Sequence, residues 1–249
     1  MKPSKDNFSQ QADFYARFRP GYPDALFDWV FQQITSFERA WDCGTGNGQI
    51  ALKLADRFEV VLATDISEAQ LDKATPRENI MYRVSRAEQT DMPMEFFDLI
   101  TIGQALHWFD FDAFFAEAKR VIKPGGWLAA WGYELCTLPE KLNPVIHSFY
   151  HDVLGDYWDP ERRHVDNAYA DIPFPFLVIP TPKFVQTMHW DLEEMEGFLN
   201  TWSAVQHYRK ATGEDPVKHV MKDLNKLWPS GEKQVVSFPL FLKMGKLQR

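Results

Sequence analysis

The sequence predicts an α/β fold built on a doubly wound, mostly parallel sheet. Three observations predict it: a glycine-rich turn between an apolar strand at residue 40 and an amphipathic helix from 49, an acid at the end of the next strand, and an alternation of helices and strands over residues 23–135. Strands that alternate with helices form parallel sheets, because each crossover helix returns the chain to the same end of the sheet.

The alternating elements follow one another without interruption up to Glu134. Apolar residues recur with the helical or the strand period in the following order: helix Asp24 to Phe37, strand at 40, helix from 49, strand at 59, helix from 67, strand near 81–84, strand 98–102, helix 112–121 and strand 127–133.

The second part of the chain is less regular. It contains a helical run over 139–153, a proline-rich stretch over 171–182, strand patterns at 183–189 and 234–243, and helices near 191–210 and 216–228. The prolines cannot pair within a central strand. We interpret the two strand patterns as the last strands of the same sheet, with insertions over the pocket.

The turn Asp42-Cys43-Gly44-Thr45-Gly46-Asn47-Gly48 predicts a site for a small ligand. Glycines allow positive φ and let a ligand approach where a Cβ would collide, and the following helix offers unpaired N–H groups. On the glycines alone a dinucleotide stays open, because residues 46–51 satisfy G-x-G-x-x-[GA]. A carboxylate at Asp42 would oppose a pyrophosphate and attract the ammonium and sulfonium of S-adenosylmethionine, so the turn favours that cofactor.

Asp65 ends the β-rich run at 58–64 and lies 17 positions after Gly48. An acid at the tip of the second strand can bind the two ribose hydroxyls of a nucleotide. The alternative is that Asp65 caps the helix from 67, for which Ser67 is the better residue. We therefore expect Asp65 to bind the cofactor.

Six sequence blocks resemble, in their order and spacing, the class I S-adenosylmethionine-dependent methyltransferases, and in particular the small-molecule branch that includes trans-aconitate methyltransferase. The blocks are Asp42 to Gly48, Ala63 to Ser67, Ala87-Glu88, Phe97 to Thr101, Gln104 to Phe109 and Arg120 to Gly126, and the resemblance covers about residues 8–135. It implies a Rossmann-like, seven-stranded sheet with helical insertions over the pocket.

The resemblance also implies one methyltransferase domain over 1–249. Within it we expect an N-terminal cofactor cover at 1–22, a cofactor-binding half at 23–135, and insertions at 136–182 and 190–230 on the acceptor side. The implied cofactor is S-adenosyl-L-methionine, and the implied contacts come from Tyr15, Arg19, Asp42, Gly44, Gly46, Asp65, Ile66, Ala87, Glu88, Gly103 and Gln104.

The segment before the first helix carries two arginines among four aromatic residues. Tyr15 and Tyr22 can border the sulfonium, and Arg19 can bind a carboxylate; in the resembling family a similar element folds across the methionine end of the cofactor. The alternative is a packed cover for the first helix.

The residues after the strand at 98–102 lie where an open parallel sheet binds its ligand. Gly103 and Gln104 can hold the methionine portion, and His107 is the candidate catalytic residue, since its pKa suits proton removal near neutrality. The alternative is that His107 and Trp108 cap and fill the following helix. A carboxylate acceptor would need no base, because it is already ionised at neutral pH.

Trp108 and a set of aromatic and cationic residues in or after the last regular strand can form the acceptor pocket. The candidates are Trp108, Trp131, Tyr133, Trp158, Trp202 and Tyr208 for its walls and Arg162, Arg163 or His207 for an acidic acceptor. Each of them can equally be ordinary core or surface.

Composition limits the function classes. The formal charge is −8 over 249 residues without a long basic run, which argues against a nucleic-acid partner. The two cysteines lack the spacing of a zinc site or a disulfide framework, and neither a signal peptide nor a membrane span is visible, so we expect a cytoplasmic, metal-free enzyme with a small-molecule acceptor and no membrane partner. The oligomeric state is left open. Two other functions also stay open: a non-catalytic binding module and a nicotinamide-dependent oxidoreductase.

Overall fold

The computed structural model describes residues 18–229 and 231–248. The strands in this part of the chain are β1 Arg39–Cys43, β2 Val60–Asp65, β3 Ile80–Val84, β4 Phe97–Gly103, β5 Ile122–Tyr133, β6 Leu177–Val178, β7 Phe184–Trp190 and β8 Gln234–Lys246. They form a single sheet in the order β3-β2-β1-β4-β5-β8-β6, with β7 also paired to β8. Strands β1 to β5 pair in parallel, and β8 runs antiparallel to β5, β6 and β7.

Helices connect the strands and cover both faces of the sheet. The α-helices are α1 Asp24–Gln32, α2 Gln49–Leu54, α3 Glu68–Leu71, α4 Phe111–Val121, α5 Asn143–Ser148, α6 Arg162–Asp166, α7 Leu192–Asn200, α8 Ser203–Thr212 and α9 Pro216–Leu227. Shorter turns are 3₁₀-helical at Leu106–Trp108 and Gly155–Tyr157 and π-helical at Phe149–Val153.

Two apolar cores lie on opposite sides of the sheet. One packs α1, α2 and the helices of the second part of the chain against alternate residues of the strands, such as Trp131 and Phe238. The other packs α4 and the segment around Tyr169 against the intervening residues, such as Trp41 and Ile100. This three-layer arrangement confirms the doubly wound α/β fold.

Strand β1 lies between β2 and β4, so the chain leaves β1 on one side and returns on the other. The carboxyl ends of β1 and β4 meet at this switch point, which is the position where open parallel sheets bind ligands. The glycine turn follows β1, and Gln104 follows β4.

Some helix and strand boundaries differ from those that the sequence predicts. The sheet has one strand more than the seven predicted, because Leu177–Val178 pairs with the end of β8 at the sheet edge. The helix predicted over 24–37 ends at Gln32, and the one predicted near 191–210 is two helices, α7 and α8. The chain between them is extended at Trp202 (φ −77°, ψ 132°). No helix in the described part of the chain is both long and apolar enough to span a bilayer.

Candidate active site

The glycine turn is anchored to the end of β2. The backbone N–H groups of Gly44 and Thr45 both donate to the Thr64 carbonyl at 2.9 Å, and the N–H of Gly46 donates to Asp65 Oδ2 at 2.9 Å. Gly44 and Gly46 have positive φ (70° and 56°). These contacts hold the turn open at the switch point.

The two glycines are needed for different reasons. A Cβ on Gly44 would lie 2.7 Å from Ala105 Cβ, so this glycine allows the loop after β4 to pack closely. Among the described residues, a Cβ on Gly46 would meet only Gln70 Oε1, at 3.8 Å, so this part of the chain leaves Gly46 uncrowded. Gly46 therefore offers a bare backbone surface to a ligand.

Asp42 lies beneath the turn and is fully buried. Its two oxygens accept hydrogen bonds from the hydroxyls of Thr45 and Thr101. Burial raises the pKa of Asp42 to about 6, although the bonds from Thr45 and Thr101 act in the opposite direction. The geometry gives Asp42 contacts with the turn and with β4, so the predicted attraction to the cofactor would act through its charge, not through direct contact.

Asp65 stands at the mouth of the turn, half-buried, with Oδ1 accepting from the N–H of Ser67 at 2.9 Å. Ser67 is the N-cap of α3, since its hydroxyl accepts from the N–H of Gln70, as the sequence predicts. Ile66, next to Asp65, exposes 37% of its surface although it is aliphatic. An exposed apolar side chain beside a carboxylate suits an adenosine, whose base is apolar and whose ribose carries hydroxyls.

Ala87 and Glu88 are not on the surface of the turn. Ala87 is buried. Glu88 accepts from the N–H of Asp110 at 3.1 Å and lies 3.3 Å from Arg86 Nε. Glu88 therefore connects the loop after β3 to the start of α4, and its predicted cofactor contact stays a prediction.

A first cavity, the cofactor cavity, opens above the glycine turn. Its lining residues come from the N-terminal segment, the turn, α2 and the ends of β4 and β5: Arg19, Pro20, Tyr22, Gly44, Thr45, Gly46, Asn47, Gln49, Ile50, Gly103 and Tyr133. The sequence predicted Arg19, Tyr22, Gly44, Gly46 and Gly103 here. It missed Asn47, which lies within the glycine block, and Gln49 and Ile50, which begin α2.

The described part of the N-terminal segment, residues 18–23, packs against β5 and the chain after α7. Arg19 donates to the Tyr133 hydroxyl on β5 and, through Nη2, to the Thr201 carbonyl at 3.0 Å. Tyr22 packs edge-on against Trp131, with ring centroids 5.7 Å apart. Arg19 thus ties the sheet to the break between α7 and α8. The predicted contact of Tyr15 lies outside the described residues.

Gln104 has an unusual backbone for a residue with a Cβ, with φ at +52°. Two hydrogen bonds of Gln104 extend the ladder between β4 and β5. Its backbone N–H donates to the Trp131 carbonyl at 2.8 Å, and its side-chain Oε1 accepts from the Tyr133 N–H at 2.8 Å. Such strained residues concentrate at functional sites.

A second cavity, the acceptor cavity, lies on the other side of Arg19. It is lined by Arg19, Gln104, His107, Trp108, Trp158, Asp159, Arg162, Trp202 and Ser203. The two cavities share Arg19, so they are neighbours at the carboxyl end of β4. The sequence missed Asp159 and Ser203, which no motif marks.

Arg162 is the second cation of the acceptor cavity and is held from several sides. Its Nε donates to the Tyr150 hydroxyl at 2.7 Å and to Asp166 Oδ1 at 3.2 Å. The guanidinium lies over the rings of Trp158 (4.9 Å) and Tyr150 (5.3 Å). Because the side chain is already ordered, binding an anion there loses little conformational entropy.

His107 lines the acceptor cavity and is only 5% exposed. Its Nδ1 lies 3.0 Å from the hydroxyl of Tyr169, and its ring packs against Trp108 with centroids 4.7 Å apart. The structure thus brings His107 and Trp108 together with Arg162 and Trp202, as the sequence predicts.

Comparison with known proteins identifies the family. The family model described as a methyltransferase domain matches residues 41–130. A methyltransferase of Dictyostelium discoideum is 31% identical, over 97% of this chain and 95% of its own length. The solved structure of a type II methyltransferase from Anaeromyxobacter dehalogenans is 38% identical, covers 93% of this chain and 100% of its own, and superposes with a TM-score of 0.86.

The chain is a class I S-adenosylmethionine-dependent methyltransferase. A methyltransferase structure from Bacillus halodurans, 20% identical over 91% of this chain and 100% of its own, shares the fold with a TM-score of 0.54. Membership decides against the nicotinamide-dependent oxidoreductase and against the non-catalytic module. The narrower resemblance to trans-aconitate methyltransferase stays a prediction.

Five of the predicted acceptor-side residues lie outside the acceptor cavity of this methyltransferase. Trp131 is fully buried and packs edge-on against Phe27 and Tyr22, because its side chain points to the core on the α1 face of β5. Arg163 is exposed on α6. The rings of Tyr208 and Tyr157 are in contact, and His207 Nδ1 lies 2.9 Å from the Tyr157 carbonyl. Tyr133 lines the cofactor cavity instead.

The residues of the methyltransferase fit S-adenosylmethionine at the cofactor cavity. The clear surface over Gly46, the carboxylate of Asp65 and the exposed Ile66 adjoin one another at the ends of β1 and β2. Both cysteines are buried, and burial raises the pKa of each thiol, so neither is an activated nucleophile. Among the described residues, His, Cys, Asp and Glu form no group of three that could hold a metal ion.

Proposed function

We propose that this methyltransferase transfers the methyl group of S-adenosylmethionine to a carboxylate of a small-molecule acceptor. The observation that carries the proposal is the pair of cavities that meet at Arg19, one over the glycine turn and the other lined by Arg162 and three tryptophans. A carboxylate is ionised at neutral pH and needs no base.

On the cofactor side, the chain supplies a bare backbone, one carboxylate and aromatic surface. The turn at Gly46 lets adenosine approach, and Asp65 accepts from ribose hydroxyls while it also braces the turn. The bound cofactor supplies a methyl group already activated by its sulfonium. Tyr22 and Tyr133 line the same cavity and present aromatic surface to that cation.

On the acceptor side, two arginines hold and orient the anion. Arg162 is fixed by Tyr150 and Asp166, and Arg19 by Tyr133 and Thr201. Trp108, Trp158 and Trp202 exclude water and offer flat apolar walls. Methyl transfer is an in-line displacement, so alignment of the carboxylate oxygen and removal of water provide most of the rate.

The tryptophan walls favour a planar or unsaturated acid as the acceptor. Asp159 also lines the cavity, with its side chain 9% exposed. A carboxylate at this position repels a second acidic group placed near it and favours a hydrogen-bond donor. We therefore propose an acceptor that carries one carboxylate toward Arg162 and a polar donor toward Asp159.

The test uses the purified protein, methyl-labelled S-adenosylmethionine and a metabolite extract as the source of acceptors. We expect a labelled product that releases methanol when treated with alkali, because methyl esters hydrolyse in base whereas ethers and methylamines do not. An alkali-stable product would overturn the carboxylate proposal and leave the methyltransferase assignment standing.

A further inference from the structure

Tyr169 contacts the candidate catalytic histidine from outside the glycine-turn half of the chain. Its hydroxyl lies 3.0 Å from Nδ1 of His107, and the two rings are tilted by 38° with centroids 6.0 Å apart. Tyr169 is fully buried. The contact joins residues 62 positions apart in the chain.

The position of Tyr169 is fixed by its surroundings at some cost in backbone energy. Ala168 and Tyr169 both have positive φ (50° and 58°), a conformation that L-residues rarely adopt. Lys243 on β8 donates to the carbonyls of Tyr169 (2.9 Å) and Ile172 (3.0 Å). The Tyr169 ring packs edge-on against Phe241, with centroids 4.8 Å apart.

The chemistry of a phenol beside an imidazole indicates which ring nitrogen of His107 carries the proton. In a neutral imidazole one nitrogen donates and the other accepts, and the partner of one nitrogen sets the role of the other. A phenol is a good donor and a weak acceptor, because its oxygen lone pair is delocalised into the ring, whereas an unprotonated imidazole nitrogen is a strong acceptor. A bond from the Tyr169 hydroxyl to Nδ1 of His107 is therefore the favoured direction for this pair, and it would leave the proton of the imidazole on Nε2.

We infer that Tyr169 is a positioning residue that holds His107 as the neutral Nε2–H tautomer, which donates a hydrogen bond to the acceptor's carboxylate in the acceptor cavity. This role rests on the proposed function, because a carboxylate nucleophile needs to be oriented and does not need to lose a proton. His107 then works beside Arg19 and Arg162 as a neutral donor. It is not the general base that the sequence predicts.

The tautomer is measured directly by NMR on protein labelled with ¹⁵N-histidine, with S-adenosylhomocysteine present and no acceptor. The His107 signals are assigned from the His107→Gln variant. We expect long-range ¹H–¹⁵N correlations of the Nε2–H form at pH 7, and loss of that single form in Tyr169→Phe. Tyr157→Phe is the matched control and should leave the His107 signals unchanged. An Nδ1–H form in the wild type would overturn the inference.

The donor role is tested with methyl-labelled S-adenosylmethionine and the metabolite extract. Glutamine can place an amide N–H near the position of Nε2 but cannot act as a base. We expect His107→Ala to lose about 10- to 100-fold in ester formation, the effect of a hydrogen bond to a charged group, and His107→Gln to recover part of that loss. Equal loss in both variants, with a rate that falls in acid as a histidine protonates, would overturn the donor role.

A double variant separates positioning from general damage to the fold. Tyr169→Phe should lower the rate in the wild-type background and have no further effect in His107→Gln, because glutamine has no tautomer to fix. Equal effects in the two backgrounds would mean that Tyr169 acts only on the packing. The NMR result needs no acceptor, so its failure would leave the proposed function standing, whereas an alkali-stable product would overturn the proposed function and leave the tautomer standing.

Discussion

At the scale of single residues, the acids at the ends of β1 and β2 have different tasks. Asp42 is sealed under the turn by Thr45 and Thr101, whereas Asp65 is half-buried at its mouth. The sequence predicts a ligand role for both, because each acid ends a strand. The difference between the two acids depends on Thr101, which binds Asp42 but is 59 positions away in the chain. Thr101 reaches Asp42 only through the pairing of β1 with β4. The Ser67 cap could be predicted because it is local.

Asp42→Asn should change how stability depends on pH. The folded protein keeps a proton on Asp42 up to a pKa of about 6, whereas the unfolded chain releases it near 3.8. The folded state therefore binds more protons between these values, and the wild-type free energy of unfolding falls as the pH rises from about 4 to 6. The free energy of unfolding of Asp42→Asn, relative to that of the wild type, should therefore rise by on the order of 1–3 kcal/mol between pH 4 and pH 6. Urea unfolding at several pH values measures the difference, and parallel profiles would refute it.

Asp65→Ala should weaken the binding of S-adenosylhomocysteine. The loss of hydrogen bonds between a carboxylate and the ribose hydroxyls costs about 1.5–3 kcal/mol, or roughly 10- to 100-fold in Kd. Calorimetry measures the Kd, and thermal unfolding of the same sample checks that the turn, which Asp65 also braces through Gly46, is intact. Unchanged affinity in a folded variant would remove Asp65 from the ribose.

Arg162 and Arg163 form a matched pair on α6. Arg162 lines the acceptor cavity, and Arg163 is exposed outside it. We expect Arg162→Met to raise the KM for the acceptor about 10- to 100-fold with a smaller change in kcat, because the cation holds and orients the anion. Arg163→Met should behave as the wild type. Steady-state kinetics with the acceptor from the extract measures KM and kcat for both variants. Equal effects of the two changes would exclude an anion site at Arg162.

At the scale of elements, the whole cofactor half could be predicted, whereas in the acceptor half only β7, β8 and α9 could be predicted with bounds close to those observed. The strands before Glu134 and the helices between them follow from apolar periods and a glycine turn, which are local signals. The break between α7 and α8 carries no glycine or proline. It lies where the Thr201 carbonyl accepts from Arg19, 182 positions away. A contact of that range leaves no local pattern in the sequence.

The N-terminal segment is packed onto α7 through a single glycine. A Cβ on Gly197 would lie 2.5 Å from three ring atoms of Phe18. Gly197→Ala should therefore displace Phe18, loosen residues 18–22, and reduce the affinity for S-adenosylhomocysteine, since Arg19 and Tyr22 line the cofactor cavity.

Hydrogen exchange across residues 18–22 and calorimetry follow the two effects of Gly197→Ala. We expect faster exchange and at least a severalfold higher Kd. Gly155→Ala is the control, because a Cβ there meets no atom of the described residues within 4 Å. Unchanged exchange in Gly197→Ala would show that the segment is not held by this contact.

At the scale of the whole molecule, the acceptor cavity is assembled from four distant parts of the chain. Arg19, Gln104 to Trp108, Trp158 to Arg162, and Trp202 with Ser203 meet only because the sheet brings the ends of β4 and β5 under the N-terminal segment. The sequence suggests aromatic and cationic residues as the lining of the acceptor cavity. It cannot distinguish Trp202, which lines the cavity, from Trp131, which packs in the core.

A crystal structure of the protein with S-adenosylhomocysteine would show directly whether the cofactor binds over the glycine turn and faces the acceptor cavity. We expect the adenosine over Gly46, with the ribose on Asp65 and the base beside Ile66. The sulfur should point past Arg19 into the cavity of His107 and Arg162, since the methyl group must face the acceptor. A ligand bound elsewhere, or a sulfur turned away from that cavity, would contradict the account.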